Sequence, residues 1–183
     1  REAAKLADAA YDEAVKLTRP GAFEGDILAA MQGAVWRGGG DDPANEFIIG
    51  SGPGALMCRY FTGRRHLSAE DQLTLEFAGT YRHYHACLMR TLLVGKASPE
   101  HRAMHRAAVE ALEAAKAALK PGHPIGDVFD AHARVADAAG LRHARLNACG
   151  YSLGTTFAPN WMDSPSLSMF FHGNPTLAEP GMV

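Results

Sequence analysis

Cysteine is scarce in this chain, three residues in 183, and no two of them stand at a Cys-x-x-Cys spacing. An odd count without paired spacing argues against a disulfide framework, so Cys58, Cys87 and Cys149 read as reduced thiols. Charge of one sign is also missing: 18 Lys and Arg against 20 Asp and Glu give a formal net charge of -2. That balance leaves no basic stripe for nucleic acid. No uninterrupted apolar run reaches the length of a bilayer span, and no charged-then-apolar leader opens the sequence. The expectation is a soluble, cytoplasmic protein with neither nucleic acid nor membrane as partner.

What is present is enough apolar material for a core. Hydrophobic residues make up 47% of the chain, which fits one globular domain or a piece of a larger one. The sequence starts inside a helical pattern at Arg1 and stops at Glu179-Pro180-Gly181-Met182-Val183, where a strand pattern begins. It is therefore expected to be a fragment.

Residues 1 to 18 are alanine-rich, with apolar positions at helical spacing, and Pro20-Gly21 ends the run. A second helix is expected from about Glu24 to Trp36, stopped by Gly38-Gly39-Gly40. Phe47-Ile48-Ile49-Gly50 reads as a short buried strand. Ser98-Pro99-Glu100 opens another alanine-rich helix, with Ser98 placed to cap and Pro99 suited to the first turn. A pattern then recurs. Arg19-Pro20-Gly21 is answered by Lys120-Pro121-Gly122, and Gly25-Asp26-Ile27 by Gly126-Asp127-Val128, both at an offset of 101 residues. Pro-Gly turns alone are common, but two further motifs keep the same spacing. The expectation is an internally duplicated α+β unit with helices on one layer and strands on the other.

The segment from Leu73 to Thr91 carries the chemistry. Successive strand residues point to opposite faces, so Leu73, Leu75 and Phe77 face one way and Gln72, Thr74 and Glu76 the other. In the following strand His83, His85, Cys87 and Met89 share one side. Glu76 is expected on a polar face, as a cavity wall would be, with two histidines and a thiol nearby. A solvated edge strand with surface histidines accounts for the same parity.

Taken together, the two Pro-Gly helix pairs, Ser51-Gly52-Pro53-Gly54-Ala55, the Glu76-to-Thr91 hairpin ending in Arg90-Thr91, Gly150-Tyr151-Ser152-Leu153-Gly154 and Pro180-Gly181-Met182-Val183 resemble the pita-bread superfamily. That superfamily holds methionine and Xaa-Pro aminopeptidases, creatinase and ectoine hydrolase-like enzymes. The resemblance implies an α+β pita-bread fold with pseudo-two-fold duplication of a helix-helix-strand unit, incomplete at the C-terminus. Residues 1–183 would form a partial catalytic domain, with halves of about 1–97 and 98–183.

In the peptidases of the superfamily, two aspartates eleven residues apart on the paired strands help to hold two metal ions. Glu76 and Cys87 fall on those positions here, and Tyr151 falls where a ligand histidine is expected. Two dications about 3.5 to 4 Å apart need several anionic oxygens around them, and of the three positions only Glu76 supplies one. The expectation is no metal and no other cofactor, with manganese, cobalt or zinc as the alternative. The resemblance is nearest to the creatinase-like branch, where hydrolysis of a carbon–nitrogen bond proceeds without metal. Met89 and Tyr151 depart from that branch, which has glutamate and histidine there, so a different substrate is expected.

The candidate catalytic residues are Glu76 as base or nucleophile, His85 as proton donor to the leaving nitrogen, and Tyr151 as donor to an oxyanion. Arg59, His83, Cys87 and Trp161 are the candidate substrate contacts. Ion pairing for Glu76 and Arg59, and packing for Tyr151, Cys87 and Trp161, are the competing readings. The leading expectation is a C–N hydrolase acting on a small nitrogenous molecule, inactive as this fragment and dimeric when whole. An atypical Xaa-Pro metallopeptidase and a non-catalytic peptide- or protein-binding module are the alternatives.

Overall fold

Alanine on the inner face of helix α1 (Glu2–Leu17) lets its backbone lie directly on a sheet: Ala3, Leu6, Ala7, Ala10 and Ala14 are all buried. The contact is closest at Gly79, where an added Cβ would stand 2.1 Å from the Ala3 carbonyl oxygen and 2.3 Å from the Ala7 nitrogen. Helix α2 (Glu24–Arg37) buries Ile27, Met31 and Val35 and stops at Gly38-Gly39-Gly40, with Gly39 in the left-handed region at φ +77°. This computed structural model describes residues 1–56, 63–164 and 168–183. The positions of Cys58 and Arg59 lie outside the described residues.

Three antiparallel strands follow in the order β1 (Ile48–Ser51), β2 (Asp71–Tyr81), β3 (Tyr84–Val94). Leu73, Leu75 and Phe77 are completely buried and pack with Leu6, Ile27, Met31, Val35 and Ile49. The alternation expected from the sequence is thus realised on β2. Glu76 pairs with Met89, Ala78 with Cys87 and Thr80 with His85, so these six share the opposite face.

His83 departs from its expected place. Tyr81 pairs with Tyr84, and Arg82 and His83 form the two-residue turn between them at φ 52° and 63°. A two-residue loop with both φ positive follows the twist of the strands but favours asparagine and glycine. Neither is present, and parity alone therefore carried His83 onto the strand.

The first compact unit is Arg1–Lys96 together with Gly154–Trp161; the second is Ala97–Leu153 together with Met162–Val183. The segment Gly154–Trp161, expected in the second half, thus packs with the first. In the second unit Ser98 caps helix α3 (Pro99–Ala118) by accepting the His101 N–H at 3.1 Å. Helix α4 (Gly126–Ala138) follows, and strand β4 (Ala148–Tyr151) pairs antiparallel with β5 (Met169–Phe171).

The duplication is visible in the hydrogen bonds. Gly21 N–H donates to Leu67 O, Leu67 N–H to Ala22 O and Glu24 N–H to Arg65 O; in the second unit Gly122 N–H donates to Ala178 O, Ala178 N–H to His123 O and Ile125 N–H to Thr176 O. A returning strand closes each Pro-Gly helix junction in the same way.

Candidate active site

The polar face of the β2–β3 ribbon is graded. Met89, 58% exposed, and the exposed Thr91 lie at one end, Glu76 and Cys87 are half-buried, and Thr80 and His85 at the tip are buried. Glu76 therefore projects from a partly open wall rather than into a closed hollow. Arg90 belongs to the other face, paired with Leu75, and its guanidinium lies 5.8 Å from the centre of the Tyr11 ring.

Cys87 is a protonated thiol at neutral pH. Burial pushes its pKa up, the negative charge of Glu76 pushes it further, and the value reaches about 12. A thiol in that state is not an effective nucleophile.

His85 is 6% exposed and both ring nitrogens are engaged. Nε2 accepts the Ala44 N–H at 2.8 Å, so in the neutral ring the proton resides on Nδ1. Nδ1 stands 3.2 Å from Thr156 Oγ1, and that hydroxyl in turn donates to Trp161 O at 3.2 Å. Burial is the main cause of a lowered pKa, only partly opposed by the Gly154 and His83 carbonyls and by Asp41. Thr80, its cross-strand partner, and Glu76 are four residues apart along β2, about 13 Å of strand. A neutral, enclosed imidazole at that distance is poorly equipped to protonate a leaving group beside Glu76, which corrects the role expected of it.

Trp161 is corrected as well. At 2% exposure it is part of the core, not a pocket wall. His83 lies on the surface of the turn with its ring 4.3 Å from that of Phe157. Tyr151 ends β4 in the second unit, half-buried and in register with Met169. Cavities of about 310 Å³ and 460 Å³ are lined by residues of the second unit alone, the larger by Phe129, Arg145, Asn147 and Phe171 among others.

A second polar cluster was missed by the sequence reading. Glu24, 1% exposed, accepts hydrogen bonds from Ser51 N and Oγ and from the backbone N–H groups of Arg64 and Arg65. Arg65 continues the network to Ser51 Oγ and to Asp71. Burial pushes the Asp71 carboxyl up, but the Ser68 N–H, Arg65 and the Gln72 N–H outweigh it and leave the pKa lowered. The local signal was an acidic residue opening α2, three positions after the Pro20-Gly21 turn. Its three partner residues lie 27 to 41 positions away and left no trace near it.

The duplicated α+β arrangement is the pita-bread fold. Residues 1–183 match the model of metallopeptidase family M24, and the chain belongs to that family. It is 32% identical over 187 residues to a Sinorhizobium fredii protein named as an uncharacterised hydrolase/peptidase, covering all of this chain and 46% of the relative. It is 28% identical over 145 residues to the ectoine hydrolase of Halomonas elongata, covering 79% of this chain and 36% of that one. Among solved structures, the Pyrococcus furiosus prolidase superposes with a TM-score of 0.86 at 22% identity, over 99% of this chain and 52% of the other, which concerns the fold alone. Dipeptidase PepE of Mycobacterium ulcerans gives 0.84 at 26% identity, over 99% and 47%. The chain spans about half the length of the curated relatives it matches.

The family implies a divalent metal, and the donor set described here does not fit a dinuclear centre. The two strand positions supply one carboxylate and one protonated thiol. Among the described residues no group of three or more His, Cys, Asp or Glu side chains is placed to hold a metal ion.

Proposed function

We propose that this chain is part of an M24 hydrolase that cleaves a C–N bond of a small nitrogenous molecule without the paired metal ions of the peptidases. The observation that carries the reading is the Glu76–Cys87 pair. One carboxylate and one soft thiol at the two strand positions offer too few hard anionic oxygens for a pair of dications of the peptidase type. The same carboxylate, half-buried on a strand, suits a general base. Glu76 would take a proton from water as the water oxygen bonds to the amide or amidine carbon. The C–N bond then breaks, and the same proton passes to the departing nitrogen.

The relative named as an ectoine hydrolase supports a small nitrogenous substrate. Guanidino acids, cyclic amidines and N-acyl amino acids are the compounds to assay. The protein is read as a cytoplasmic homodimer when whole, and the isolated 183-residue chain as inactive. Turnover by the full-length protein should survive exhaustive chelation and fall by at least about 100-fold in Glu76→Gln. Activity that disappears with chelator and returns with manganese or cobalt overturns the proposal. That result favours the second reading, a metallopeptidase of Xaa-Pro type with an atypical site, which the family match supports. Elemental analysis separates the two independently of any assay.

A further inference from the structure

His85 holds the middle of a directional chain of hydrogen bonds. The Ala44 N–H can only donate, so Nε2 must accept; Nδ1–H is then left for Thr156 Oγ1, whose own proton goes to Trp161 O, and for the Gly154 and His83 carbonyls. The chain runs one way, and the protonation of the ring is set by a backbone amide 41 residues distant.

This relay fastens a strap. The segment Gly154–Trp161 is tied to the hairpin tip at several points: Thr155 bridges Tyr84, Thr156 N–H donates to His83 O, Phe157 stacks on His83, and Trp161 is buried. The tip is tied in turn to the loop before β1, because His83 N–H donates to Asp41 and Asp41 N–H to Thr80 O. Two non-glycine residues in the left-handed region at the turn show how strongly the contacts hold it, since such a conformation persists where its surroundings over-determine it. At its own ends the strap is closed by the Leu153–Met162 bridge and by Asp163 N–H donating to Ser152 O. Tyr151 lies three residues before the strap begins.

We propose that His85 is a positioning residue: it latches the Gly154–Trp161 strap onto the tip of the hairpin that carries Glu76, while taking no part in proton transfer. This deepens the hydrolase reading and rests on it for Glu76, but the latch itself is defined by the hydrogen bonds alone. A latch of this kind acts through geometry, and a displacement of about 1 Å at the general base costs on the order of 100-fold in rate.

The test uses Thr156→Val, which keeps the shape of the side chain and removes the middle link, beside Thr156→Ser, which restores a hydroxyl. Imidazole ¹⁵N shifts of the wild type should report His85 as neutral with the proton on Nδ1. Hydrogen exchange of the strap amides should speed up at least about tenfold in Thr156→Val and stay near wild type in Thr156→Ser. In the full-length protein, kcat should fall about tenfold in Thr156→Val and recover in Thr156→Ser. Added to Glu76→Gln, Thr156→Val should cost little more.

A ring protonated on Nε2, or strap exchange unchanged by Thr156→Val, overturns the latch. Loss of the limb of the kcat–pH profile in His85→Gln, with Thr156→Val leaving kcat intact, returns His85 to catalysis and also overturns it. If the wild type turns over none of the C–N substrates, the hydrolase reading fails, while the tautomer and exchange results still decide the latch.

Discussion

The first and second units begin with the same device and cover it differently. At the offset of 101 residues, Ala3, Ala7, Tyr11 and Ala14 of α1 answer to Met104, Ala108, Leu112 and Ala115 of α3. On α1 this stripe lies under β2 and β3, and Ala3, Ala7 and Ala14 are buried. On α3 Met104 is 45% and Leu112 57% exposed, and only Ala107 and Ala111 are buried, on the side that meets α4. The comparison teaches that the sequence repeat encodes the helix pair and its Pro-Gly junction. Coverage of the outer stripe depends on a ribbon that the second unit does not contain among its described residues.

The largest expected effect concerns how each unit anchors its returning strand. The first uses the buried Glu24 carboxylate; the second uses Asn174, 2% exposed, which accepts Thr176 N–H and donates to Met169 O. Removing the acceptor in Glu24→Ala strands several buried donors at once, and should cost about 3–5 kcal/mol. Asn174→Ala loses a neutral group and should cost about 1–3 kcal/mol. Urea denaturation followed by circular dichroism measures both, and equal costs would break the distinction between the two anchors.

The ribbon contact comes next. Gly79→Ala places a methyl group against the α1 backbone, which cannot rotate away as a side chain would. The helix has to move, at a cost of about 3 kcal/mol. Native-state hydrogen exchange should localise the damage to α1 and β2 and leave α3 and α4 unaffected. A loss spread equally over all four helices would show that the units do not respond separately.

Both units hold a histidine whose pKa burial lowers: His85 in the first, and His132 in the second, where Arg145 adds to the effect. The unfolded chain takes up a proton near pH 6.5, the folded chain only below that. The stabilising contribution is therefore complete above about pH 6.5 and is lost as pH falls through that value toward the lower folded pKa. The two differ in bonding, because His85 uses both nitrogens whereas His132 Nδ1 is buried without a partner among the described residues. His132→Phe should reduce the acid sensitivity at little or no cost at pH 7.5, while His85→Gln should reduce it from a starting stability lower by about 1–3 kcal/mol. Urea midpoints at pH 5.0 and 7.5 give all four values.

Local signals predicted what local physics controls. Alanine spacing and Pro-Gly stops outlined α1, α2 and α3, and strand parity put Glu76, Cys87 and His85 on one face with Leu73, Leu75 and Phe77 on the other. The offset of 101 residues predicts the duplication that the two sets of junction hydrogen bonds display. The misplaced residues were those decided at a distance. His83 entered a turn without the usual asparagine or glycine because Asp41 and Thr156 hold it there. His85 was enclosed by Ala44 and Thr156, which lie 41 and 71 residues away. Trp161 became core because its segment joined the first unit. Polarity and parity describe a face, but the enclosure of a side chain depends on which remote segment covers it.

The smallest expected effect is the sharpest test of the stripe comparison. Ala7→Leu on α1 forces added bulk into a site only 1% exposed, and should cost about 1–3 kcal/mol. Ala108→Leu, its counterpart on the exposed face of α3, should stay within about 0.5 kcal/mol of wild type. Leu112→Gln should be as mild, since a side chain already more than half exposed loses little burial when made polar. The same change removes a large apolar group from an open helix face, so it should also lower any self-association of the chain in analytical ultracentrifugation. A destabilisation by Leu112→Gln as large as that of Ala7→Leu would mean that the α3 stripe is covered after all, and that the two halves use their repeated helices in the same way.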